Sequence, residues 1–199
     1  MRKLFFATIM IACAASFSFA QAGDDYNKYD IYAGFSHNRV DFRDATGQRE
    51  GFNGVEVAVK GNISRYVGLK GDYSFHRKSF GIGNSQNFID ANLQNFLGGV
   101  ELKDNSKETK VKPFAHALAG LAHATVSFDP VVCAQVVGAP CPLVVNSSET
   151  GFAGAFGGGI DFRLSKRVDL RAIQFDYNPT RLEGETQHNY RIGVGIIFR

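Results

Sequence analysis

The sequence lacks tryptophan altogether and has only three cysteines and five prolines among its 199 residues. It also lacks a long apolar run after residue 20, where none approaches the ~18 residues that indicate a transmembrane helix. This absence does not exclude a membrane, because a spanning β-strand needs only ~9–11 residues and half of them can be polar. No segment shows sustained helical periodicity, so the sequence pattern indicates an all-β protein.

The N-terminus has the pattern of a secretory signal peptide. Two basic residues precede an apolar run, and a small-x-small cleavage pattern ends at Ala20. We therefore predict a signal peptide over residues 1–20 and one domain over residues 21–199. A membrane anchor is a weaker alternative, since the run is short of the roughly 20 residues of a spanning helix. A lipid-carrying cysteine at Cys13 is a third interpretation.

The charge of the exported chain excludes one class of partner. Loss of Arg2 and Lys3 reduces the 22 basic residues to 20, against 19 acidic residues. A nearly neutral chain gives no electrostatic reason to bind nucleic acid. Its size suits a single domain.

Two cysteines remain after the leader, and they bracket the stretch AQVVGAP. In an exported protein we expect Cys133 and Cys141 to form a disulfide. A metal or redox pair is the alternative, but the CxxC spacing and neighbouring histidines are missing.

Apolar and polar residues alternate with a period of two in segment after segment. The last segment carries an apolar stripe of Tyr190, Ile192, Val194, Ile196 and Phe198. Five segments alternate clearly: 29–36, 54–63, 66–75, 152–164 and 188–199. Three alternate less regularly: 95–103, 111–126, whose phase the sequence leaves open, and 168–177, where a phase change suggests a bulge near Arg171. We therefore predict eight strands.

The connections between these strands also alternate in length. Those predicted to be long are 37–53, 76–94, 127–151 and 178–188, and those predicted to be shorter are 64–65, 104–110 and 165–167. Long loops at one end and short turns at the other are typical of an eight-stranded antiparallel up-and-down transmembrane β-barrel. A soluble sandwich or lipocalin is the alternative, but it has no reason to sort its loops in this way.

Charged residues and many glycines share the face opposite the apolar stripes. In a membrane barrel this face points inward, and the apolar face meets lipid. We therefore predict a charge network in the lumen, in two groups. The residues of this network are Glu56, Lys60, Lys70 and Asp72 in one group, and Asp161, Arg163 and Arg191 in the other. The last strand would then close the barrel against the first.

Several stretches of the chain resemble the small outer-membrane β-barrel family that includes the OmpA transmembrane domain, OmpX and the opacity proteins. They are DIYAGFS, GVEVAVKGNISRYVGLKGDYSF, KPFAHALAG, GGGIDFRLSKRVDLRA and the C-terminal segment. The resemblance implies that the barrel-assembly machinery recognises the last strand. Here Arg199 follows the terminal aromatic Phe198, which departs from the family pattern.

These observations predict a monomer in outer-membrane lipid with a structural or surface-recognition role and an unidentified extracellular ligand. We expect no cofactor, metal or catalytic residue. A narrow ion-conducting pore is one alternative. A lipid-modifying enzyme is another, and its candidate residues would be His76 with Ser79, and His116 and His123.

Overall fold

The computed structural model describes residues 26–41, 48–82, 85–128, 147–182 and 184–199. They form eight strands: β1 (Tyr29–Asp41), β2 (Arg49–Asn62), β3 (Val67–Ile82), β4 (Ser85–Lys103), β5 (Val111–Phe128), β6 (Ser147–Arg163), β7 (Val168–Leu182) and β8 (Glu185–Phe198). Each strand pairs antiparallel with the next, and β8 pairs with β1, so the sheet closes. The predicted fold class is confirmed. In the described residues no helix is long and apolar enough to cross a membrane.

The outer surface of the barrel is apolar. Twenty-six large apolar side chains of the described strands and turns are exposed, among them Val57 at 42%, Leu69 at 54% and Val194 at 45%. Charged side chains such as Glu56 and Lys70 are instead almost fully buried. This distribution is the reverse of a soluble barrel and suits a surrounding bilayer.

Two strands whose phase the sequence left open are now defined. In β5, Lys112, His116 and Leu118 point inward, and the alternate residues point outward. In β7 the register with β8 shifts between Arg171 and Gln174, where the sequence predicted a bulge. The bulge keeps both of these side chains in the lumen.

Three segments predicted as long connections are mostly strand. In 37–53, residues 37–41 belong to β1 and residues 49–53 to β2. The residues of 76–94 extend β3 and β4, whose pairing continues to Ile82 and Ser85. Those of 178–188 extend β7 and β8, where Leu182 pairs with Glu185. The predicted loop lengths are therefore wrong at these three places. In the tight turn that remains between β7 and β8, Gly184 has a φ of +79°, which favours glycine.

Glycines on the inward face leave room for bulky side chains that cross the lumen. A larger residue at such a glycine should therefore destabilise the barrel. A Cβ atom at Gly195 would clash with the Ala33 carbonyl oxygen and lie 2.7 Å from the Tyr32 ring. A Cβ atom at Gly71, which faces outward, would have no neighbouring atom closer than 4.0 Å. We expect Gly195→Val to lower stability by about 1–3 kcal/mol or more, and the matched Gly71→Val to fold normally. The measurement is the shift in gel mobility between unboiled and boiled samples. Equal folding of the two variants would contradict this packing.

Candidate functional site in the barrel lumen

The lumen contains an electrically balanced cluster of buried charges. Seven cations and seven anions of the described residues lie inside the wall below its outer mouth. The cations are Lys60, Lys70, Lys103, Lys112, Arg171, Arg191 and Arg199, and the anions are Asp30, Glu56, Asp72, Glu101, Asp161, Asp169 and Asp176. An unpaired charge in such a place costs several kcal/mol, so equal numbers of the two signs are a condition of stability.

The cluster has two halves along the barrel axis. Arg191 is at the centre of the half nearer the outer end. Its guanidinium donates to Asp176 Oδ2 at 2.7 Å and to Asp72 Oδ1 at 3.0 Å. Lys70 Nζ lies 3.1 Å from the same Asp72 carboxylate and 3.6 Å from Glu56. These contacts join β2, β3, β7 and β8 through one group of ion pairs.

Two lysines organise the half nearer the chain termini. Lys60 Nζ lies 2.8 Å from both Asp30 and Glu101. Lys103 Nζ lies 3.1 Å from Asp30 and 3.0 Å from Asp161. Each carboxylate is thus shared between cations on different strands.

Arg171 occupies the middle of the lumen and combines two kinds of contact. Its guanidinium donates to both oxygens of Asp161, at 2.9 and 3.2 Å, in the bidentate geometry that arginine favours. The same group lies 4.6 Å from the ring centre of Tyr32 and 3.9 Å from that of Phe114, within cation–π range. Arg171 is therefore held by a charge and by two rings.

The amide of Gln174 connects the two halves. Its Oε1 accepts a hydrogen bond from Arg171 at 2.7 Å, and its Nε2 donates to Asp176 at 2.7 Å and to Glu56 at 3.0 Å. Because an amide can donate and accept at once, it links the arginine of one half to the carboxylates of the other.

The end of the barrel at the chain termini is closed by the chain itself. The Arg199 side chain turns inward and contacts Asp169. The turn between β4 and β5 folds across the opening, where Lys112 Nζ donates to the Ser106 carbonyl oxygen at 2.7 Å and Lys60 to Asn105 at 2.9 Å.

A surface ion pair connects the β4–β5 turn to the neighbouring β2–β3 turn. Arg65, in the turn between β2 and β3, donates to Asp104 Oδ1 at 3.1 Å and to Oδ2 at 3.4 Å. These hydrogen bonds lower the pKa of the Asp104 carboxyl below its usual range. The pair therefore stays ionised at neutral pH and holds the two turns together.

The structure places the sequence-predicted network residues in three positions. Glu56, Lys60, Lys70, Asp72, Asp161 and Arg191 are all buried in the lumen. Arg163 is only half-buried, lies near the rim and donates to the Ser165 carbonyl oxygen. The predicted group of Asp161, Arg163 and Arg191 is wrong, because Asp161 pairs with Arg171 and Lys103 while Arg191 pairs with Asp72 and Asp176.

Sequence reasoning missed eight of the fourteen charged residues of the cluster. Glu101 and Lys103 on β4 alternate with the apolar Val100 and Leu102, so the sequence pattern does contain a signal for them. Arg171 and Asp176 lie on either side of the bulge, which hid their common face. Arg199 was treated as a departure at the C-terminus, although its side chain is part of the lumen.

The other candidate residues lie in separate places. His76 is buried and shares a 2.8 Å hydrogen bond with Ser36, while Ser79 is exposed and donates to Asp90. His116 Nε2 lies 3.0 Å from Asp176 in the lumen, and His123 shares a hydrogen bond with Thr150 on the outside.

The predicted disulfide and signal peptide cannot be placed, because Cys133, Cys141 and residues 1–20 lie outside the described residues. Within the ranges described, no group of three or more His, Cys, Asp or Glu residues is arranged to hold a metal ion.

The C-terminal strand has the predicted orientation. Ile192, Val194, Ile196 and Phe198 are between 41% and 51% exposed on the outer surface, and Tyr190 is half-buried there. Tyr190 packs between Tyr177 and Phe175, at ring-centre distances of 5.8 and 6.0 Å. The strand pairs with β1 from Tyr190 to Phe198.

A closed eight-stranded barrel with an apolar outside and an ionic inside is a transmembrane β-barrel. Residues 6–198 match the family of the outer membrane protein beta-barrel domain, and the chain belongs to that family. Its location is the outer membrane of a Gram-negative cell. No curated protein matches the sequence closely enough to count as a relative.

Solved structures with the same fold support this assignment. Ail, the attachment invasion locus protein of Yersinia pestis, is 17% identical with a TM-score of 0.57, over 85% of this chain and 97% of that one. Neisserial surface protein A is 13% identical with a TM-score of 0.57, over 86% and 97%. OprG of Pseudomonas aeruginosa is 10% identical with a TM-score of 0.51, over 88% and 97%. At these identities the likeness concerns the fold alone.

The position of Arg171 generates a stability test. We expect Arg171→Leu to destabilise the barrel by about 3–5 kcal/mol, because it leaves Asp161 buried with less compensation. Arg163→Leu is the matched control and should change stability by less than about 0.5 kcal/mol. The measurement is urea-induced unfolding in lipid bilayers. Equal urea midpoints for the two variants would show that the Arg171–Asp161 pair is unimportant for stability. The double variant Arg171→Leu with Asp161→Leu should regain part of the stability that Arg171→Leu loses.

Proposed function

We propose that this barrel is a non-conducting, non-enzymatic outer-membrane protein that presents its outer hairpins to a ligand or surface outside the cell. Two features support the proposal. The lumen is filled by paired side chains, and one hairpin continues well beyond the membrane-facing aromatic residues. The second feature carries the recognition role, and the first argues against the competing pore.

The ionic layer leaves almost no space for ions to pass. The cavity that remains between residues such as Lys60, Glu101 and Arg171 has a volume of about 10 Å³. This is about one water molecule by the usual measure. Conduction would require several buried ion pairs to separate at once.

The closed lumen predicts electrical silence. In planar bilayers the purified barrel should give no single-channel steps, and Lys70→Gln should leave that result unchanged. Stepwise currents whose size changes on neutralising Lys70 would favour the narrow pore over the proposed role. A conducting outer-membrane porin in the same bilayers is the positive control.

The β3–β4 hairpin extends beyond the membrane. Its strands are 16 and 19 residues long, against the ~9–11 that a bilayer requires. Tyr73 and Phe96 pack together on the outer surface, with ring centres 4.9 Å apart. From Tyr73 the strand continues to Ile82, which corresponds to about 30 Å of extended chain.

Ion pairs and a hydrogen bond connect the described polar side chains of this hairpin to each other and to β2. Arg77 pairs with Asp90 at 2.8 Å, Ser79 donates to the same carboxylate, and Lys78 pairs with Glu50 of β2. A stiff, charged hairpin costs less ordering entropy on binding than a flexible loop, which suits a recognition element.

Shortening the hairpin tests the recognition role. Lys78 and Ala91 are directly paired, so an Asn-Gly turn can replace residues 79–90 and keep the register. The control places Asn-Gly at 183–184, which preserves the length of the β7–β8 hairpin. We expect the first variant alone to lose roughly tenfold in adhesion to host cells or matrix glycans, since a few residues carry most binding energy. Wild-type adhesion by the shortened barrel would reject this role. Heparin is one of the probes, because Ail was crystallised with a heparin analogue.

The geometry gives little support to a lipid-modifying enzyme. His76 and Ser79 lie on opposite faces of β3, and His76 is buried in the lumen, away from lipid. His116 is enclosed beside Asp176. No catalytic arrangement faces the bilayer among the candidate histidines of the described strands.

We further infer that outer-membrane lipid surrounds the barrel, and that the assembly machinery recognises the stripe from Tyr190 to Phe198. The apolar outer surface and the exposed stripe support this. We also infer a monomer with a Cys133–Cys141 disulfide, since the barrel closes on itself and an exported protein favours the pair.

A further inference from the structure

Four cationic side chains lie close together at the end of the barrel that carries the chain termini. Arg163 ends β6, Lys166 and Arg167 lie in the turn between β6 and β7, and Lys110 immediately precedes β5. The Arg163 N–H donates to the Lys110 carbonyl oxygen at 2.8 Å, so these two strand ends are adjacent. Arg163 is half-buried and the other three are exposed. We call these four residues the basic edge.

The basic edge is not neutralised by neighbouring acids. Within the described ranges, the side chains of its three exposed residues form no ion pair or hydrogen bond, and Arg163 donates to the Ser165 carbonyl oxygen. Asp161 and Asp169 are near along the chain, but they are buried in the lumen, where arginines of the charge network contact them. With the exposed Glu108 counted against the four cations, an excess of three positive charges remains.

Another part of the same rim is electrically compensated. The β2–β3 turn also carries an exposed cation, Arg65, but its guanidinium pairs with Asp104 Oδ1 at 3.1 Å. The two charges of that pair offset each other. The excess charge of the basic edge is therefore a local feature and not a general property of the turns.

The basic edge borders the apolar band that faces lipid. Leu164, which directly follows Arg163, is 62% exposed. Phe162 and Val111 are 39% and 49% exposed and pair with each other on the outer surface. One or two residues of extended strand correspond to about 3–7 Å, so the cations lie just beyond this band. Long cationic side chains in such a position lay their methylene stems on apolar surface and place the charge among lipid headgroups.

Charge and depth together select the kind of partner. The short turns of a transmembrane barrel face the periplasm, so the basic edge meets the headgroups of the periplasmic leaflet. A zwitterionic headgroup carries an ammonium group that offsets its phosphate, whereas an anionic headgroup keeps a net negative charge. Basic segments beside a membrane attract anionic lipids, and the attraction acts within a Debye length of about 8 Å.

We propose that the basic edge binds the headgroups of anionic phospholipids in the periplasmic leaflet and gathers these lipids beside β5, β6 and β7. The cations attract the phosphate, while Leu164 and Phe162 contact the adjoining part of the acyl chains. The inference rests on the proposed lipid surroundings of the barrel and is independent of recognition at the outer hairpin.

A single tryptophan can report on this position, because the sequence contains no other. Leu164→Trp places one indole beside the basic edge, at a side chain that is exposed in the wild type. The barrel is reconstituted in phosphatidylcholine vesicles with increasing fractions of brominated phosphatidylglycerol or brominated phosphatidylcholine. Quenching of the indole gives the relative affinity of each lipid at the reporter. We expect brominated phosphatidylglycerol to bind roughly two- to fivefold more tightly, as for exposed charge contacts.

Two double variants of the reporter protein locate the preference. Lys166→Gln with Arg167→Gln should bring the affinity ratio close to one. Arg39→Gln with Arg181→Gln removes the same charge from the outer end, where both arginines are exposed, and should leave the ratio unchanged. Gel mobility before and after boiling verifies folding. If the first variant does not fold, 1 M NaCl tests the unaltered reporter, because a Debye length of about 3 Å should abolish the preference.

Equal affinities of the two lipids at the reporter would overturn the inference, as would a preference that survives the loss of Lys166 and Arg167 or the high salt. Quenching by neither lipid would instead contradict the proposed lipid surroundings, so the two failures are distinguishable. Sedimentation with peptidoglycan that depends on Lys166 and Arg167, without a lipid preference, would assign the basic edge to an anionic polymer and overturn the inference as well.

Discussion

The structure depends on the requirement that charges buried in a closed lumen must balance. Lipid outside the wall and packed side chains inside leave no water to compensate an unpaired ion. Seven cations and seven anions of the described residues meet this requirement, and most of the anions contact more than one cation. Arg171 and Arg191 each draw carboxylates from different strands to one point. The network therefore fixes the relative position of the strands as well as filling the lumen.

Along the barrel axis the lumen has three regions with different properties. At the end near the termini, Arg199 and the turn carrying Asn105 and Ser106 close the opening. In the middle, the ion pairs exclude a continuous water path. Towards the outer mouth, apolar side chains such as Phe52 and Leu93 lie across from buried Asn38 and Asn178, and an open volume remains. This arrangement is the basis of the proposed recognition role and of the proposed absence of conduction.

The sequence predicted the architecture better than it predicted the site. The alternation in β2, β3 and β8 fixes which side chains meet lipid, because the period of two relates directly to the two faces of a strand. The partners of an inward charge depend on register and closure, which no local pattern contains. Arg191 and Asp72 are 119 residues apart in sequence, and Gln174 and Glu56 are 118 apart. The apolar cluster in the lumen was missed for a related reason, since Leu97 and Leu118 come together only when the strands pair and the barrel closes.

The most direct test of this account measures which methyl groups touch lipid. In nanodiscs with protonated acyl chains, nuclear Overhauser effects between lipid and protein methyl groups report contact without any mutation. The account predicts contacts from Val57, Leu69, Ile192 and Val194, and none from Leu97, Leu118 and Ile197, which is 1% exposed inside the barrel. Lipid contacts from the inner set, with water contacts from the outer set, would contradict the membrane orientation of the whole barrel.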